Sequence, residues 1–216
     1  MRLAELHRLA NINSLTGLHN RNAMTEAIVE RCASGKQLAY LFVDIDRFKA
    51  INDSAGHTAG DTVLKAIAER IRAALPDSAI VARPGGDEFT IVLPGVFDQE
   101  RIERACRRIS LACHRPIKIG CKSVTMSCSI GVALFPEHGR TPEELFTSAD
   151  MAMYAAKRTG RNTFHVFGER EKDDLGRVQF EAQLHDAIRD DQFVLHYQPQ
   201  YVVETGELVG VEALVR

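Results

Sequence analysis

Residues 79–93 read Ala-Ile-Val-Ala-Arg-Pro-Gly-Gly-Asp-Glu-Phe-Thr-Ile-Val-Leu, which is two short apolar runs on either side of a Gly-Gly pair. This pattern predicts a β-hairpin, because glycine adopts the positive φ angles that tight hairpin turns require. We expect strands over residues 79–82 and 89–93, with both glycines in the turn. The hairpin would carry Asp87 and Glu88 near its tip, at one edge of a sheet.

Outward from the hairpin, the apolar pattern predicts strands that alternate with helices. Apolar residues at helical spacing predict helices over residues 20–33, 60–75, 98–113 and 141–159. Short apolar runs predict further strands over residues 38–43, 123–133 and 163–166. This order indicates an α/β (α+β) fold in which helices cover a sheet.

Composition excludes several classes of protein. The 216 residues include 27 Lys and Arg against 29 Asp and Glu, a formal net charge of −2, and 45% are hydrophobic. Such a chain can build a core but lacks the basic surface that sequence-independent nucleic-acid binding requires. No apolar run is long enough to cross a bilayer, and the charged first residues are unlike a signal peptide. We therefore expect a cytoplasmic protein with no nucleic-acid partner and no membrane contact through this segment.

Acidic residues occur at two comparable places. Asp44 and Asp46 end the strand predicted over residues 38–43, and Asp87 and Glu88 lie at the hairpin turn. If these strands are neighbours in one sheet, their carboxylates converge on one edge, and such oxygen ligands can hold Mg²⁺ together with substrate phosphates. The alternative is that acidic residues beside turns are simply solvated.

Two cations lie near the end of the last long predicted helix. Lys157 and Arg161 are four residues apart, a spacing that can direct both side chains the same way. Next to an acidic metal site they would suit a bridging polyanion. The alternative is the favourable placement of cations at a helix C-terminus.

A polar stretch separates the strand at residues 38–43 from the helix at residues 60–75. It reads Asn-Asp-Ser-Ala-Gly-His-Thr-Ala-Gly-Asp over residues 52–61 and is longer than a bare connector needs to be. Asn and Asp side chains can read the edge of a base, and a carboxylate that accepts two N–H bonds favours guanine over adenine. We expect His57 to be a structural loop residue.

Five groups of residues, in this order along the chain, resemble the GGDEF family of diguanylate cyclases, which condense two GTP into cyclic di-GMP. These groups are residues 13–21, 44–53, 56–61, 83–89 and 149–162. The resemblance covers roughly residues 13 to 167. It implies a fold like the palm of polymerases and class III nucleotide cyclases, with a central antiparallel sheet surrounded by helices.

The resemblance also implies a metal and a catalytic group. Mg²⁺ or Mn²⁺ would be held by Asp44, the Ile45 carbonyl, Asp87 and Glu88. Asp44, Asp87 and Glu88 would be the catalytic residues, with Glu88 either a second metal ligand or the group that assists deprotonation of the 3′-hydroxyl.

The substrate GTP would be bound by residues of three kinds. Asn52 and Asp61 would read guanine. The phosphates would be held by Arg47, Phe48, Lys49, Lys157 and Arg161. Gly85 and Gly86 would let the backbone approach the nucleotide. Since each domain would bind one GTP and cyclic di-GMP is two-fold symmetric, catalysis would need a homodimer.

Two functions are compatible with this resemblance. The first is a diguanylate cyclase that releases pyrophosphate and forms cyclic di-GMP. The alternative is a GTP-binding regulatory module that controls an attached phosphodiesterase and makes little product itself. Both use the same binding site.

The sequence departs from the family pattern at two informative places. Asn13 stands where the family usually has Asp, and we expect it to form a structural cap. The family's product-inhibition motif Arg-x-x-Asp would begin at Pro76, but residues 76–79 read Pro-Asp-Ser-Ala. We therefore expect no product inhibition through that site.

The last residues resemble the start of an EAL-family cyclic di-GMP phosphodiesterase. The similar groups are Tyr-Gln-Pro at 197–199, Thr-Gly at 205–206 and Glu-Ala-Leu-Val-Arg at 212–216. The expected organisation is the end of a stalk helix at 1–12, a GGDEF domain at 13–168, a linker helix at 169–191 and an incomplete EAL fragment at 192–216. The EAL domain of the parent chain would then be a partner.

Overall fold

The computed structural model describes residues 10–96, 98–120, 122–168, 188 and 193–215. The chain divides into two compact units, Met1–Glu171 and Lys172–Arg216. In chain order, the helices and strands of the first unit are α1 (Arg21–Ala33), β1 (Leu38–Ile45), α2 (Phe48–Ala55), α3 (His57–Ala74), β2 (Ile80–Gly85), β3 (Glu88–Pro94), α4 (Gln99–His114), β4 (Ile117–Ile119), β5 (Lys122–Val124), β6 (Cys128–Phe135), α5 (Pro142–Arg158) and β7 (Phe164–Val166).

A five-stranded sheet organises the first unit. Its strand order is β2-β3-β1-β6-β7, and every neighbouring pair is antiparallel except β6 and β7. All eight residues of β1 are buried, as expected for a central strand that is covered on both faces. The expectation of a mainly antiparallel central sheet surrounded by helices is confirmed.

Side chains of β1 alternate between two hydrophobic clusters, one on each face of the sheet. Leu41 and Val43 pack with the cluster that includes residues of α3 and α4, whereas Tyr40 and Phe42 pack with α1 and α5. This alternation follows from the two-residue period of a strand. It directs Asp44, the next residue in the second series, toward the α5 side of the sheet.

Three helices begin one residue after the predicted start, because the predicted first residue is an N-cap. The side chains of Asn20, Asp98 and Thr141 accept hydrogen bonds from the N–H groups of Ala23, Arg101 and Glu144 at 3.1, 2.9 and 3.2 Å. Such caps satisfy backbone donors that have no partner inside the helix.

The polar stretch at residues 52–61 is mostly helical and not a loop. The short helix α2 ends at Ala55, and α3 begins at His57, three residues before the predicted start. Gly56 separates the two helices with a φ of 82°, a value that glycine adopts readily. The prediction of His57 as a loop residue was therefore wrong, because it is the first residue of α3.

Two further strand predictions need correction. The strand predicted over residues 123–133 is divided into β5 and β6, and β5 pairs with β4, which was not predicted. In the hairpin between β2 and β3, only Gly86 has a positive φ, of 54°. Gly85 instead ends β2 and pairs with Glu88.

The second unit contains one described hairpin, formed by β8 (Leu195–Tyr201) and β9 (Leu208–Val215). Both strands lie within residues 192–216, where the sequence resembles the start of an EAL domain. The stalk helix predicted at 1–12 lies mostly outside the described residues, as does the linker helix predicted at 169–191. Among the helices that the structure describes, none combines the length and the apolar character needed to span a bilayer.

Candidate active site

Neighbouring strands bring the predicted acidic residues together at one end of the sheet. Asp44 on β1 lies directly opposite Glu88 on β3 in the antiparallel register. Side chains at directly opposed positions project to the same face with Cβ atoms about 5 Å apart. Asp87 lies beside them, because its carbonyl oxygen accepts a hydrogen bond from the Ile45 N–H at 3.2 Å. The predicted convergence of carboxylates is therefore present.

A lysine from α5 lies among these carboxylates. The Lys157 ammonium is 2.8 Å from Asp44 Oδ2, with side-chain exposures of 28% for Lys157 and 12% for Asp44. We call Asp44, Asp87, Glu88 and Lys157 the acidic site.

Burial and the repulsion between like charges raise the pKa values of carboxyl groups in the acidic site. Burial raises the pKa of Asp44, although the hydrogen bond from Lys157 opposes that rise. Burial also raises the pKa of Glu88, and the negative charges of Asp44 and Asp87 add to the effect. Perturbed carboxyls in such a group are typical of functional sites.

Asp150 also lies in this acidic environment, although it was not among the predicted site residues. It lies on α5 two turns before Lys157, and burial raises its pKa while Lys157 opposes the rise. Its negative charge also raises the pKa of Glu88. The signal in the sequence was its position seven residues before Lys157, which places both on one side of a helix.

Asp46, which the sequence grouped with the acidic residues, has a different environment. Its carboxylate accepts hydrogen bonds from the hydroxyls of Ser127 and Ser129, both at 2.7 Å, and from the Asn162 N–H at 3.2 Å. These four residues, which we call the Asp46 anchor, fasten the end of β1 to β6 and to the loop after α5. Asp46 is therefore a structural residue beside the site.

Arg83 holds the hairpin that carries Asp87 in place through hydrogen bonds to the turn. This guanidinium is buried and donates from Nε and Nη2 to the Gly86 carbonyl at 3.1 and 2.6 Å, and from Nη1 to Asn13 Oδ1 at 3.3 Å. Asn13 Nδ2 in turn donates to the Arg83 carbonyl at 3.2 Å. The tip of the hairpin is thereby fixed relative to the start of the domain.

Asn13 also closes the turn that follows it. Its Oδ1 accepts from the N–H groups of Leu15 and Thr16 at 3.2 and 3.1 Å. The expectation that Asn13 is a structural cap is confirmed by these contacts.

Three of the five predicted phosphate-binding residues, Arg47, Phe48 and Lys49, lie at the N-terminus of α2. Arg47 precedes this helix in the left-handed conformation, with a φ of 58°. The first N–H groups of a helix have no partner within it, and the helix dipole favours an anion there. Phe48 is buried, whereas Arg47 and Lys49 are exposed. The local geometry is compatible with a phosphate-binding turn.

The predicted guanine-reading residues lie on the α2–α3 pair. Asn52 is half-buried against α3, so close that a Cβ on Gly60 would lie 2.1 Å from Asn52 Oδ1. Gly60 is therefore required for the two helices to approach at this point. Asp61 follows Gly60 and is exposed. Burial lowers the pKa of the Arg83 guanidinium, and the negative charge of Asp61 opposes that decrease.

The helical spacing proposed for Arg161 was wrong. Helix α5 ends at Arg158, and Arg161 lies beyond Gly160 with a φ of 63°. Glycine ends the helix before a further turn can form. Arg161 is exposed and is followed by Asn162, whose N–H binds Asp46 and so holds this loop at the end of β1.

The carboxylate oxygens of the acidic site could supply some, but not all, of the ligands of a magnesium-like ion. Within the described ranges, no three His, Cys, Asp or Glu side chains are grouped so that they could hold an ion by themselves. Asp44, Glu88 and Asp87 nevertheless offer oxygen ligands with excess negative charge. Mg²⁺ commonly binds through one or two carboxylates and completes its shell with phosphate oxygens and water. The residues fit an ion that arrives with a nucleotide.

The fold is a mainly antiparallel five-stranded sheet flanked by helices, with acidic residues grouped where β1 ends and β3 begins. The sequence matches the family described as "Diguanylate cyclase, GGDEF domain" over residues 10–163. The chain therefore belongs to the GGDEF family.

Relatives in Pseudomonas aeruginosa carry this region within longer proteins. The cyclic di-GMP phosphodiesterase NbdA is 41% identical over 221 residues, which cover 99% of this chain and 28% of NbdA. The bifunctional diguanylate cyclase/cyclic di-GMP phosphodiesterase MucR is 39% identical over 220 residues, which cover 98% of this chain and 32% of MucR. The chain thus spans less than a third of these relatives.

A solved GGDEF domain has the same fold. The GGDEF domain of TpbB (also called YfiN) from Pseudomonas aeruginosa is 42% identical, with a TM-score of 0.69. The match covers 76% of this chain and 99% of that chain.

Proposed function

We propose that this chain contains a diguanylate cyclase domain, which joins two GTP into cyclic di-GMP and releases pyrophosphate with Mg²⁺ or Mn²⁺. The observation that carries the proposal is the pairing of Asp44 with Glu88, with Asp87 beside them. Two strands thereby present carboxylates next to one lysine, as metal-dependent phosphoryl transfer requires.

The metal would be held by Asp44, Asp87 and the Ile45 carbonyl, with Glu88 either a further metal ligand or the base for the attacking hydroxyl. When bound, it would polarise the α-phosphate and stabilise the charge that develops there. The hairpin tip is fixed by Arg83, so Asp87 would keep its position while substrate binds.

Glu88 would act as the base that takes the proton of the attacking 3′-hydroxyl. Where Glu88 is not bound to the metal, burial and the charges of Asp44 and Asp87 hold its pKa above that of an exposed glutamate, which makes it the stronger base. The hydroxyl oxygen then forms a bond to the α-phosphorus as the bond to pyrophosphate breaks. Lys157 and Arg161 would neutralise the departing pyrophosphate, and the N-terminus of α2 would hold the remaining phosphate oxygens with Arg47, Phe48 and Lys49.

Base selection would belong to the α2–α3 pair. Asn52 and Asp61 would bind guanine, while Gly85 and Gly86 would leave room for the nucleotide against the hairpin. Because a domain binds one GTP, two copies of the chain would meet with their GTP molecules face to face. A monomer would bind GTP and turn over slowly.

A second candidate function is a GTP-binding regulatory module. It is favoured by the similarity to NbdA, which is named a phosphodiesterase and is far longer than this chain. We propose that residues 192–216 begin an EAL domain, after a GGDEF domain at 13–168 and a linker at 169–191, in a cytoplasmic part of the parent protein. The division of the chain near Glu171 supports this organisation.

The direct test is a chromatographic assay for cyclic di-GMP. The chain, alone and fused to a dimerising coiled coil, is incubated with GTP and Mg²⁺. We expect product from the fusion and none when Asp87 is replaced, as in Asp87→Asn. A matched control is Asp77→Asn, since Asp77 is an exposed carboxylate away from the site. GTP binding without product at high protein concentration would support the regulatory role instead.

A further inference from the structure

The contact between Lys157 and Asp44 differs from every other ion pair in the described ranges. The others join side chains no more than four residues apart. Lys157 and Asp44 come from different elements, α5 and β1, and meet at 2.8 Å where both are partly buried. Such a pair is held by the fold and not by local helix geometry.

Lys157 also lies close to other acidic residues. Glu88 is opposite Asp44 in the strand register, and Asp150 lies two turns before Lys157 on α5. A buried group of like charges is stable only with a counter-charge. Lys157 supplies this counter-charge at Asp44.

We propose that Lys157 occupies Oδ2 of Asp44 until the triphosphate of a nucleotide draws the ammonium away, so that metal ion and nucleotide bind synergistically. The inference rests on the proposed GTP-binding role of the site. A lysine ammonium and a divalent cation repel each other strongly at contact distance, so both cannot bind Asp44 Oδ2 at once. The triphosphate carries more negative charge than one carboxylate and therefore competes for the ammonium.

The local structure allows this exchange without a backbone rearrangement. Lys157 lies in the last turn of α5, and its four-carbon side chain can swing while the helix stays in place. The loop after the helix is fastened by Arg161 N–H to the Ala156 carbonyl at 3.1 Å and by Asn162 N–H to Asp46 at 3.2 Å. Only the ammonium needs to move.

The test measures Mn²⁺ binding by electron paramagnetic resonance, with and without a GTP analogue that has a methylene bridge between the α- and β-phosphates. For the unaltered chain we expect weak Mn²⁺ binding alone and at least tenfold tighter binding with the analogue, in the range usual for coupled sites. For Lys157→Met we expect about tenfold tighter Mn²⁺ binding without nucleotide and a smaller gain from the analogue. Equal Mn²⁺ affinity with and without the analogue in the unaltered chain would overturn the proposal.

Controls separate this role from a general loss of charge. Arg161→Met removes a nearby cation that is not paired with Asp44, so it should weaken analogue binding without strengthening Mn²⁺ binding alone. Asp44→Asn added to Lys157→Met should abolish the gained Mn²⁺ affinity. If Lys157→Met is folded by circular dichroism and binds Mn²⁺ no more tightly than the unaltered chain, the proposal is wrong even when cyclic di-GMP is made. Synergy without any cyclic di-GMP would instead reject the cyclase function alone.

Discussion

Asp44 and Asp46 lie two residues apart at the same end of β1, yet their surroundings have opposite character. Asp46 accepts three hydrogen bonds from groups that the fold fixes around it. Asp44 has one ion pair, with Lys157, and faces the like charges of Asp87 and Glu88. One carboxylate is satisfied by the protein, and the other is stabilised by an exchangeable side chain. The difference indicates that the Asp46 anchor builds the site and that the acidic site is left for a ligand.

The largest expected effect separates function from stability at Asp44. Asp44→Asn should lower the rate of cyclic di-GMP formation by about 10³-fold, because it removes a charge from a site of electrostatic catalysis. Its free energy of unfolding should equal or exceed that of the unaltered chain, since burial and like charges disfavour the ionised carboxylate. Chromatographic assay and urea titration measure the two quantities. A variant that is both active and unstable would reverse the roles given to Asp44 and Asp46.

The converse effect is expected at Asp46. Asp46→Ala leaves the buried Ser129 hydroxyl without its acceptor and removes the bonds from Ser127 and Asn162. We expect a loss of about 3 kcal/mol in the free energy of unfolding, because hydrogen bonds to a charged group contribute more than neutral ones. Urea titration gives the value, with the exposed Asp77→Ala as control. Stability within about 0.5 kcal/mol of the unaltered chain would show that the anchor does not hold the strand end.

A smaller effect is expected from one partner of the anchor at a time. Ser129→Ala should lower the free energy of unfolding by about 1.5 kcal/mol, and Ser127→Ala by less, since Ser127 is only half-buried. Neither substitution removes a charge from the acidic site, so GTP affinity at a temperature where both are folded should change little. Calorimetric titration of GTP checks this. A larger loss in the free energy of unfolding from Ser127→Ala than from Ser129→Ala would show that burial does not determine which serine stabilises the protein more.

The smallest effect concerns pH. The pKa values of Asp44, Glu88 and Asp150 are raised in the folded protein, so the folded state binds their protons more tightly than the unfolded state does. Their contribution to stability is therefore most favourable below the ordinary carboxyl pKa and is lost as pH rises through the raised values. The stability gain of Asp44→Asn over the unaltered chain should be larger at pH 7 than at pH 4. Urea titrations at both pH values test the sign, and a gain that grows toward low pH would contradict it.

The sequence was sufficient for the elements whose signals are local. Strand β1, the β2–β3 hairpin and the capped helices α1, α4 and α5 follow from apolar period, glycines and N-cap side chains. Because Asp44 lies near the end of β1 and Glu88 begins β3, the approach of the two carboxylates follows once these strands are neighbours in an antiparallel sheet, which the sequence analysis could state only as a condition.

The features that the sequence did not reveal depend on distant partners or on competing local signals. The partners of Asp46 lie 81, 83 and 116 residues away, so nothing nearby distinguishes it from Asp44. Helix α2 was missed because only Phe48 and Ile51 give it an apolar side within a polar stretch. The four-residue spacing of Lys157 and Arg161 did not indicate a shared helical side, since Arg161 lies beyond Gly160, past the end of both the predicted and the observed helix.

The most direct test of the central claim is calorimetric titration of Mg²⁺–GTP into the unaltered chain, Asp44→Asn and Asp46→Asn. If the acidic site binds the metal-nucleotide complex and Asp46 is structural, Asp44→Asn loses GTP binding. Asp46→Asn then keeps it at temperatures where it is folded. Undiminished GTP affinity in Asp44→Asn would contradict the account.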